Sequence, residues 1–480
     1  MTVLAALFLA PLLLAAITFV VPSARLRPWL IPLGGVVQAI LCAASLRATP
    51  TPAFGGWLVL DPAGKVVLLF LGAFFLFCSL YAPGYLRLRP ARDNRIFCSA
   101  LLAFVAMLIL IVLSHHLGLM WVATEAATLL AAPLLYFNRN PRSLEATWKY
   151  LLIGSVGIAL ALLGSFFLAY SALHGGLGSS LLFEDMVRGA RGLSRPWLHA
   201  AFALLFIGYG TKMGLAPMHT WKPDTYGEAP GLVGALLAGG LTSCAFLAIL
   251  RFLQICSAAG EGAFAREILL ASGLFSIALA GVFMARQRDF KRMLAYSSVE
   301  HMGILAVGVS LGRAGTFGAL LHLLGGGFAK GVLFLSAGNI HRAYGSKLTD
   351  QVSGALLRLP ASGALFLAGF FAITGSPPFA PFLSELTILR AAVAGGHPWV
   401  TALFLALLVV VFLGMGATVV RVVQGEPSPE SAAAVAAHPD RFLTVAPLLG
   451  LLGLAVLLGV YLPPPLAQML DEATTFLEVR

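Results

Sequence analysis

Two ionisable side chains of opposite charge lie inside long apolar stretches of this sequence. Glu125 lies in GLMWVATEAATLLAAPLLY, and Lys212 lies in FIGYGTKMGLAP. A lone charge inside a bilayer costs on the order of 3 kcal/mol, so these groups need a partner or a proton. Each one favours the charged form of the other, so a change in their separation would release or take up a proton. This pair of residues therefore predicts a proton switch. The alternative is a static ion pair that joins two helices.

A second group of ionisable residues follows nearer the C-terminus. Lys330 lies in HLLGGGFAKGVLFLSAG, and His322 precedes it by eight residues. That spacing is about two helical turns, so both side chains fall on roughly the same face and can pass protons through water. The alternative is a lysine that reaches toward the end of its span. Glu385, in PFLSELTILR, is either the carboxylate by which protons leave or a partner of Arg390.

Further polar residues occur close to these groups. His219 and Glu228 lie in the polar break after Lys212, and Glu300 and His301 lie in AYSSVEHMG. They indicate either a route for proton uptake or structural capping. Lys149, in ATWKYLLIG, either modulates the first carboxylate or anchors its helix at the membrane interface.

The apolar stretches that carry these residues are long enough to cross a membrane. Of the 480 residues, 59% are hydrophobic and 11% are charged, with a mean hydropathy of +0.92, whereas soluble domains carry about 25% charged residues. We therefore predict an all-α polytopic membrane protein of about fourteen transmembrane helices. The first run begins at the initiator Met without a basic segment, which predicts a span and not a cleaved signal. The runs fall at about 2–22, 29–46, 63–83, 96–114, 117–137, 147–170, 198–216, 229–256, 267–285, 294–312, 316–340, 359–389, 399–420 and 442–463.

The positive charges are distributed unevenly between the two sides of the membrane. The formal net charge is +11, which in a membrane protein indicates basic cytoplasmic loops and not nucleic-acid binding. Lys and Arg concentrate in the connections after odd-numbered spans, to which we assign Lys222 and Lys291. Connections after even-numbered spans carry fewer, among them Arg251. This asymmetry places both termini on the non-cytoplasmic side of the plasma (inner) membrane.

Helix-breaking residues interrupt some of the predicted spans. The seventh meets Pro217, the eleventh contains Gly325–Gly327, and the twelfth contains GSPP at 375–378 before it resumes. Broken helices at corresponding positions are typical of inverted repeats with a site between them. Because the seventh and twelfth spans are five apart, they predict two inverted five-helix repeats. The predicted segments are three N-terminal spans at 1–95, the repeats at 96–256 and 257–421, and a last span with a tail at 422–480.

Motifs for soluble catalysis and for cofactor binding do not occur in the sequence. It contains no P-loop, no GxGxxG that opens a βα unit, no HExxH and no GxSxG. The five cysteines form no CxxC, and the His115-His116 pair has no second cluster beside it. We therefore predict neither a bound redox cofactor nor a metal site.

Four stretches of this chain resemble a known family: TKMGLAPMHTWKPDTYGEAP, KRMLAYSSVEHMG, FAKGVLFLSAGNI and GSPPFAPFLSELTILR. They resemble the antiporter-like membrane subunits of respiratory complex I, of multisubunit cation/proton antiporters and of energy-converting nickel–iron hydrogenases. With the helix layout, the resemblance covers about 95–395. The SSVEHMG variant and the short tail are most similar to the F-type members of the hydrogenase group.

The resemblance implies a proton path along a polar axis in the middle of the membrane. By position, Glu125 matches the family's glutamate of helix 5 and Lys212 the lysine of helix 7 that pairs with it. Lys330 and His322 match a lysine and a histidine of helix 11. Glu385 matches the terminal relay group of helix 12.

Three positions depart from the family pattern. Ser243 stands where many members carry a lysine in helix 8, Gly326 replaces the second histidine of helix 11, and Tyr226 replaces the histidine of a PDAH motif. Thr242, Ser243 and water would then have to bridge the centre of the path. The path either conducts with these replacements or is a partly structural copy.

The resemblance implies a function within a larger assembly. It implies a proton-translocating, or sodium-translocating, membrane subunit that is not an enzyme by itself. Its expected partners are other antiporter-like membrane subunits and a peripheral redox arm whose metal clusters supply the energy. Two alternatives stay open: a stand-alone or two-component cation/proton antiporter or inorganic-carbon transporter, and a structural membrane anchor with an inactive path.

Overall fold

The computed structural model describes residues 3–48, 50–89, 92–178, 180–426 and 439–478. Within these ranges the chain is built from helices and contains isolated β-bridges but no β-strand. The predicted all-α class is therefore confirmed. The helices are α1 Val3–Val20, α2 Arg27–Arg47, α3 Pro62–Arg87, α4 Arg95–Leu113, α5 Leu117–Leu135, α6 Pro141–His174, α7 Phe183–Arg188, α8 Arg195–Met213, α9 Trp221–Glu228, α10 Gly231–Ala258, α11 Gly262–Met284, α12 Phe290–Ser310, α13 Gly312–Tyr344, α14 Ala355–Arg358, α15 Pro360–Ile373, α16 Ala380–Ala394, α17 Pro398–Val423, α18 Phe442–Val460 and α19 Pro464–Leu477.

Eleven helices of the described ranges are long and apolar enough to cross a membrane. They are α1 to α6, α10, α11, α13, α17 and α18. The seventh, tenth and twelfth predicted spans correspond to α8, α12 and the pair α15–α16, which are more polar or shorter. A polytopic membrane protein is thus confirmed, while the count of fourteen spans and the two repeats stay predictions.

Two of the predicted spans are broken where the sequence indicates. Helix α8 ends at Met213 and is capped by Gly214 with φ +77°, after which α9 starts at Trp221. Helix α15 ends at Ile373, Gly375 has φ +65°, and α16 begins the second half. Glycine adopts this left-handed conformation without a steric cost, which lets the chain leave the helix inside the protein.

The glycines of the eleventh span do not interrupt it, contrary to our expectation. Helix α13 runs for 33 residues through Gly325–Gly327. A Cβ atom at Gly325 would crowd Ala380, and one at Gly327 would crowd Phe70. The glycines therefore permit close packing, which offsets their helix propensity cost of about 1 kcal/mol each.

Two helices that carry buried polar side chains, α10 and α13, lie at the centre of the bundle. Every residue in the most apolar 18-residue stretch of α10, and of α13, is buried inside the protein. Helix α6 packs along α8, α11 along α12, and α13 contacts α15, α16 and α18. Small residues bring α6 and α8 together, because Gly157 faces Thr211 and Gly208 faces Ala161. A π-helical segment, Leu236–Leu241, which we did not predict, lies within α10.

Candidate proton path

Lys212 lies in the last turn of α8 and is fully buried. Its Nζ donates a hydrogen bond of 2.6 Å to Oγ1 of Thr128 on α5. It also lies 5.5 Å from the centre of the Tyr150 ring, a cation–π geometry. Gly154 on α6 leaves room for the ammonium, since a Cβ there would lie 2.6 Å from Nζ. Three helices thus hold this lysine within the membrane core.

Glu125 lies on α5, one turn before the hydroxyl that binds Lys212. Its Oε1 accepts a hydrogen bond of 2.7 Å from Ser155 on α6. Its Oε2 is buried and has no hydrogen-bond partner among the described residues. The two charges are close enough to interact electrostatically, but Thr128 and Ser155 hold them and they form no direct ion pair. The expected pair is therefore separated by hydroxyl groups in this conformation.

Lys222 is a functional candidate that sequence reasoning missed. We assigned it to the connection after the seventh span, and it lies there, on the short helix α9, but it is fully buried and not exposed on a loop. Its Nζ lies 3.2 Å from Oγ of Ser298 and 5.7 Å from the centre of the Tyr226 ring. A Cβ at Gly214 would overlap its side chain, so the break after α8 makes room for this lysine. Its position in the sequence, between a broken span and the next apolar run, could have indicated that it is buried.

Lys330 lies on α13 and contacts the same hydroxyl. Its Nζ is 3.1 Å from Oγ of Ser298. It is 1% exposed, so it does not reach toward a membrane interface. Glu300, buried on α12, lies within electrostatic range of Lys330 and of Glu385. The structure thus brings Glu300 and Lys330 together.

Two histidines pack beside this group. The rings of His301 and His322 are tilted by 33° to each other, with their centres 4.6 Å apart. His322 Nδ1 lies 2.8 Å from Oγ of Ser384 on α16. A Cβ at Gly326 would overlap the His301 ring. The absence of a side chain at Gly326 on α13 therefore makes room for the imidazole of His301 on α12.

Glu385 lies on α16 beside the second break. It is 8% exposed, and its Oε1 has no hydrogen-bond partner among the described residues. The left-handed Gly375 faces its carboxylate, where a Cβ would overlap it. It opens into a largely apolar cavity of about 400 Å³ between α16 and α17. No ion pair joins it to Arg390 in the part of the chain that the structure describes.

Two of the predicted uptake residues lie in a charged cleft and not on the central axis. Lys149 is paired with Glu145 at 2.6 Å and with Asp224 at 2.7 Å. Glu228 is paired with Lys347 at 2.6 Å. These residues line a cleft of about 550 Å³ where α6, α9 and α12 meet.

Three other residues are buried, and their side chains form no hydrogen bond with Lys222 or Lys330 among the described residues. His219 nevertheless lies within electrostatic range of Lys222. His219 is 7% exposed, and its Nδ1 has no hydrogen-bond partner among the described residues. The hydroxyl of Ser243 donates to the carbonyl of Gly239 at 2.6 Å, within its own helix. Lys291, which we wrongly assigned to a connection, is buried and donates to the carbonyl of Ala229 at 2.6 Å.

A second buried charge cluster, centred on Asp61, was not predicted. Arg251, wrongly assigned to a connection, lies 1% exposed within α10 and binds Asp61 at 2.8 Å. His115 Nε2 lies 2.7 Å from the same carboxylate oxygen. Burial alone would raise the pKa of Asp61, but Arg251 and His115 outweigh it and hold the pKa below its usual range. Burial and Arg251 lower the pKa of His115. Of the His115-His116 pair noted in the sequence, His115 therefore belongs to an ion-pair network.

Comparison with known proteins places the chain in a family. Residues 114–411 match the family described as NADH:quinone oxidoreductase/Mrp antiporter, transmembrane. This range is more than half of the chain and includes every predicted site residue from Glu125 to Glu385. The chain belongs to this antiporter family. The resemblance noted in the sequence is thereby confirmed.

Two relatives agree with this assignment, and a solved structure shares the fold. The chain is 32% identical to a hydrogenase-4 component F homolog of Methylacidiphilum infernorum, covering 99% of both proteins. It is 30% identical to the NADH-quinone oxidoreductase subunit N of Desulforudis audaxviator, covering 75% of this chain and 70% of that one. A chain of the membrane-bound sulfane sulfur reductase, an archaeal respiratory membrane complex, matches with a TM-score of 0.88 at 20% identity, covering 99% and 98%. The protein is therefore a multi-pass, antiporter-like membrane subunit of this family.

Proposed function

We propose that this antiporter-family chain moves protons as a membrane subunit of a redox-driven respiratory or hydrogenase-type complex. The observation that carries the proposal is the set of ionisable side chains buried in the bundle centre. Ionisable groups are expensive in a membrane and are found there mainly where they serve a path. The names of the two relatives, a hydrogenase component and a quinone oxidoreductase subunit, support the same kind of assembly. The described members of the set are Lys212, Lys222, Glu300, His301, His322, Lys330 and Glu385.

The proposed path has a switch, a relay and an outlet. Glu125 and Lys212 form the switch, in which Thr128 and Ser155 hold the charges apart until one of them moves. Lys330 and His322 form the relay. Glu385 is the outlet, because it has an unpartnered oxygen beside a lateral cavity. An approach of Lys212 to Glu125 would favour both charged forms, and separation would release a proton.

Proton uptake and orientation complete the proposal. The charged cleft that Lys149 and Glu228 line lies at the ends of α6, α9 and α12, where water can reach polar groups. From this cleft, protons would pass toward the centre by way of His219, Glu300 and His301. We also propose that both chain termini lie on the non-cytoplasmic side. Ser243 would take part only through water.

We also propose that the segments 96–256 and 257–421 are inverted repeats, as the breaks suggest. Each break carries a left-handed glycine that faces a charged side chain from the second half of the broken span. In the first, Gly214 faces Lys222, and in the second, Gly375 faces Glu385. Half-helices of this kind provide ion sites at the centre of membrane transporters.

The path is tested by Lys212→Ala. The substitution leaves the carboxylate of Glu125 without a nearby cation, so its neutral form is favoured and the switch is lost. We expect proton movement to fall on the order of a hundredfold, the usual contribution of a positioned proton-transfer group. The full chain, with the subunits that purify with it, is placed in vesicles that hold a pH-sensitive dye. A potassium diffusion potential drives the protons.

Lys65→Ala is the matched control, since Lys65 is a half-buried lysine in the first turn of α3 and has no role in the proposed path. It should conduct like the unsubstituted protein. Proton movement through Lys212→Ala at the control rate would contradict the proposed path, as would an unsubstituted protein that moves no protons.

A further inference from the structure

The family pattern leaves a gap in the middle of the proposed path. Ser243 occupies the position where many members carry a lysine on the eighth span. Its hydroxyl donates to the carbonyl of Gly239, and the neighbouring Thr242 hydroxyl donates to Ala238 in the same way. Neither side chain binds a proton at neutral pH. If protons pass this point, another group has to carry them.

Lys222 is the buried amine that the proposed roles leave unassigned. It is fully buried on α9, between the two halves of the path. Its Nζ and that of Lys330 lie 3.2 Å and 3.1 Å from the same oxygen, Oγ of Ser298. In the described residues no carboxylate lies within ion-pair distance of either amine, and the nearest influence of this kind is Glu300, which lies within electrostatic range of Lys330. One hydroxyl therefore connects two lysines from different helices.

Two ammonium groups on one hydroxyl are an unfavourable arrangement. Like charges repel strongly where the effective dielectric constant is low. A serine hydroxyl has one proton to donate and two lone pairs. With one ammonium and one neutral amine, the hydroxyl accepts from the first and donates to the second, and every group is satisfied.

We propose that Lys222 and Lys330 share one proton through the hydroxyl of Ser298, so that Lys222 supplies the proton-carrying amine that position 243 lacks. This inference rests on the proposed function, because it names a further residue of the same path. The Tyr226 ring, 5.7 Å from Lys222 Nζ, stabilises its charged state. The aromatic residue that replaces the family's histidine thereby gains a role beside this lysine.

The transfer balances without any other reactant. The ammonium of Lys222 breaks one N–H bond and gives that proton to Oγ of Ser298. The original hydroxyl proton leaves Ser298 and forms an N–H bond with the neutral amine of Lys330. The positive charge moves from α9 to α13, and Ser298 is unchanged after its hydroxyl turns. The reverse transfer resets the pair.

The test compares variants at both amines and at the hydroxyl in the same vesicle assay. The side chain of Lys222→Gln can still donate a hydrogen bond to Ser298, but its amide cannot take up or release a proton. We therefore expect proton movement to fall at least about tenfold. Lys222→His keeps a titratable group. It should recover part of the rate, with the active range moved to lower pH because imidazole titrates near about 6.5. Ser298→Ala removes only the bridging oxygen and should also slow proton movement.

Lys65→Gln is the control, and all variants are compared for assembly and melting temperature, so a folding defect is separated from a conduction defect. If Lys222→Gln fails to assemble, Ser298→Ala decides, since it deletes a single oxygen. Conduction at the control rate by Lys222→Gln, or by Ser298→Ala, would overturn the inference. Equal losses in the Gln and His variants would also overturn it, because they would indicate a purely structural lysine.

The two proposals fail differently. If Lys212→Ala blocks proton movement while Lys222→Gln does not, the shared-proton inference is wrong and the proposed function stands. If neither substitution changes proton movement, the proposed function itself is wrong.

Discussion

At the residue scale, a glycine on one helix makes room for a histidine from another. Gly326 stands where a histidine is expected, and the ring of His301 fills the volume next to it. The centres of the His301 and His322 rings lie 4.6 Å apart, so two imidazoles are adjacent here although they belong to different helices, α12 and α13.

The close approach of the His301 ring to Gly326 predicts the effect of Gly326→Ala. The added Cβ would lie 2.6 Å from Nδ1 of His301, so the ring has to move away from His322. We expect a loss of stability of about 1–3 kcal/mol from overpacking together with slower proton movement. Thermal unfolding and the vesicle assay measure the two effects.

Gly453→Ala on α18 is the control, because a Cβ there meets no atom within 4 Å. It should leave proton movement unchanged and should not lower stability, since alanine is the better helix former by about 1 kcal/mol. If Gly326→Ala moves protons as fast as this control, the contact between the two imidazoles has no part in the path.

At the element scale, the Asp61–His115–Arg251 cluster joins helix ends that are distant in sequence. Asp61 caps the start of α3, and Arg251 belongs to α10. Arg251 also donates to the carbonyls of Val112 and Ser114 at 2.7 Å and 2.9 Å, where α4 ends. A cation at a helix C-terminus satisfies free carbonyl groups and favours the helix dipole. The cluster therefore stabilises the arrangement of three helices.

The cluster predicts how stability depends on pH. The pKa of His115 is lowered in the folded protein, so on acidification below about pH 6.5 the unfolded chain binds a proton that the folded chain does not. The pKa of Asp61 is also lowered, which adds a loss below about pH 4. The melting temperature should therefore fall with pH, and His115→Gln should reduce that fall between pH 7 and pH 5. Thermal unfolding in detergent measures both slopes.

His174→Gln is the control for this experiment, since His174 is an exposed residue at the end of α6. It should keep the slope of the unsubstituted protein. An unchanged slope in His115→Gln would show that this histidine does not couple protonation to folding.

At the scale of the whole molecule, the surface of the bundle is strongly apolar. Helix α6 exposes Val156 at 63% and Phe166 at 55%, and α17 exposes Leu413 at 64%. Such a surface must be covered by lipid or by neighbouring subunits. The apolar cavity beside Glu385 opens on the flank of α17, so a neighbouring subunit there would meet the proposed outlet.

The proposed assembly predicts what the tagged full chain brings with it from a mild detergent. Other antiporter-like membrane subunits and a peripheral arm with nickel–iron or iron–sulfur clusters should co-purify. Mass spectrometry and metal analysis of the purified material measure this. A chain that purifies alone, or with one soluble metal-free or zinc partner, would instead support the stand-alone transporter or inorganic-carbon uptake.

The sequence by itself determined the class, the family and most candidate residues. Charged residues in apolar runs, such as Glu125 and Lys330, are visible because a bilayer makes them costly. The breaks at Pro217 and at 375–378 are also visible, because glycine and proline have strong local backbone preferences. These signals are local, and hydropathy and backbone chemistry are enough to interpret them.

The tertiary structure alone decided which of these groups meet. Lys222 and Arg251 look like loop cations in the sequence, yet both are buried against distant partners, Ser298 and Asp61. The glycines of α13 look like a break, yet they make room for side chains from other helices. The physical reason is that the burial and pairing of a charge depend on packing between residues far apart in the chain, which no local pattern encodes.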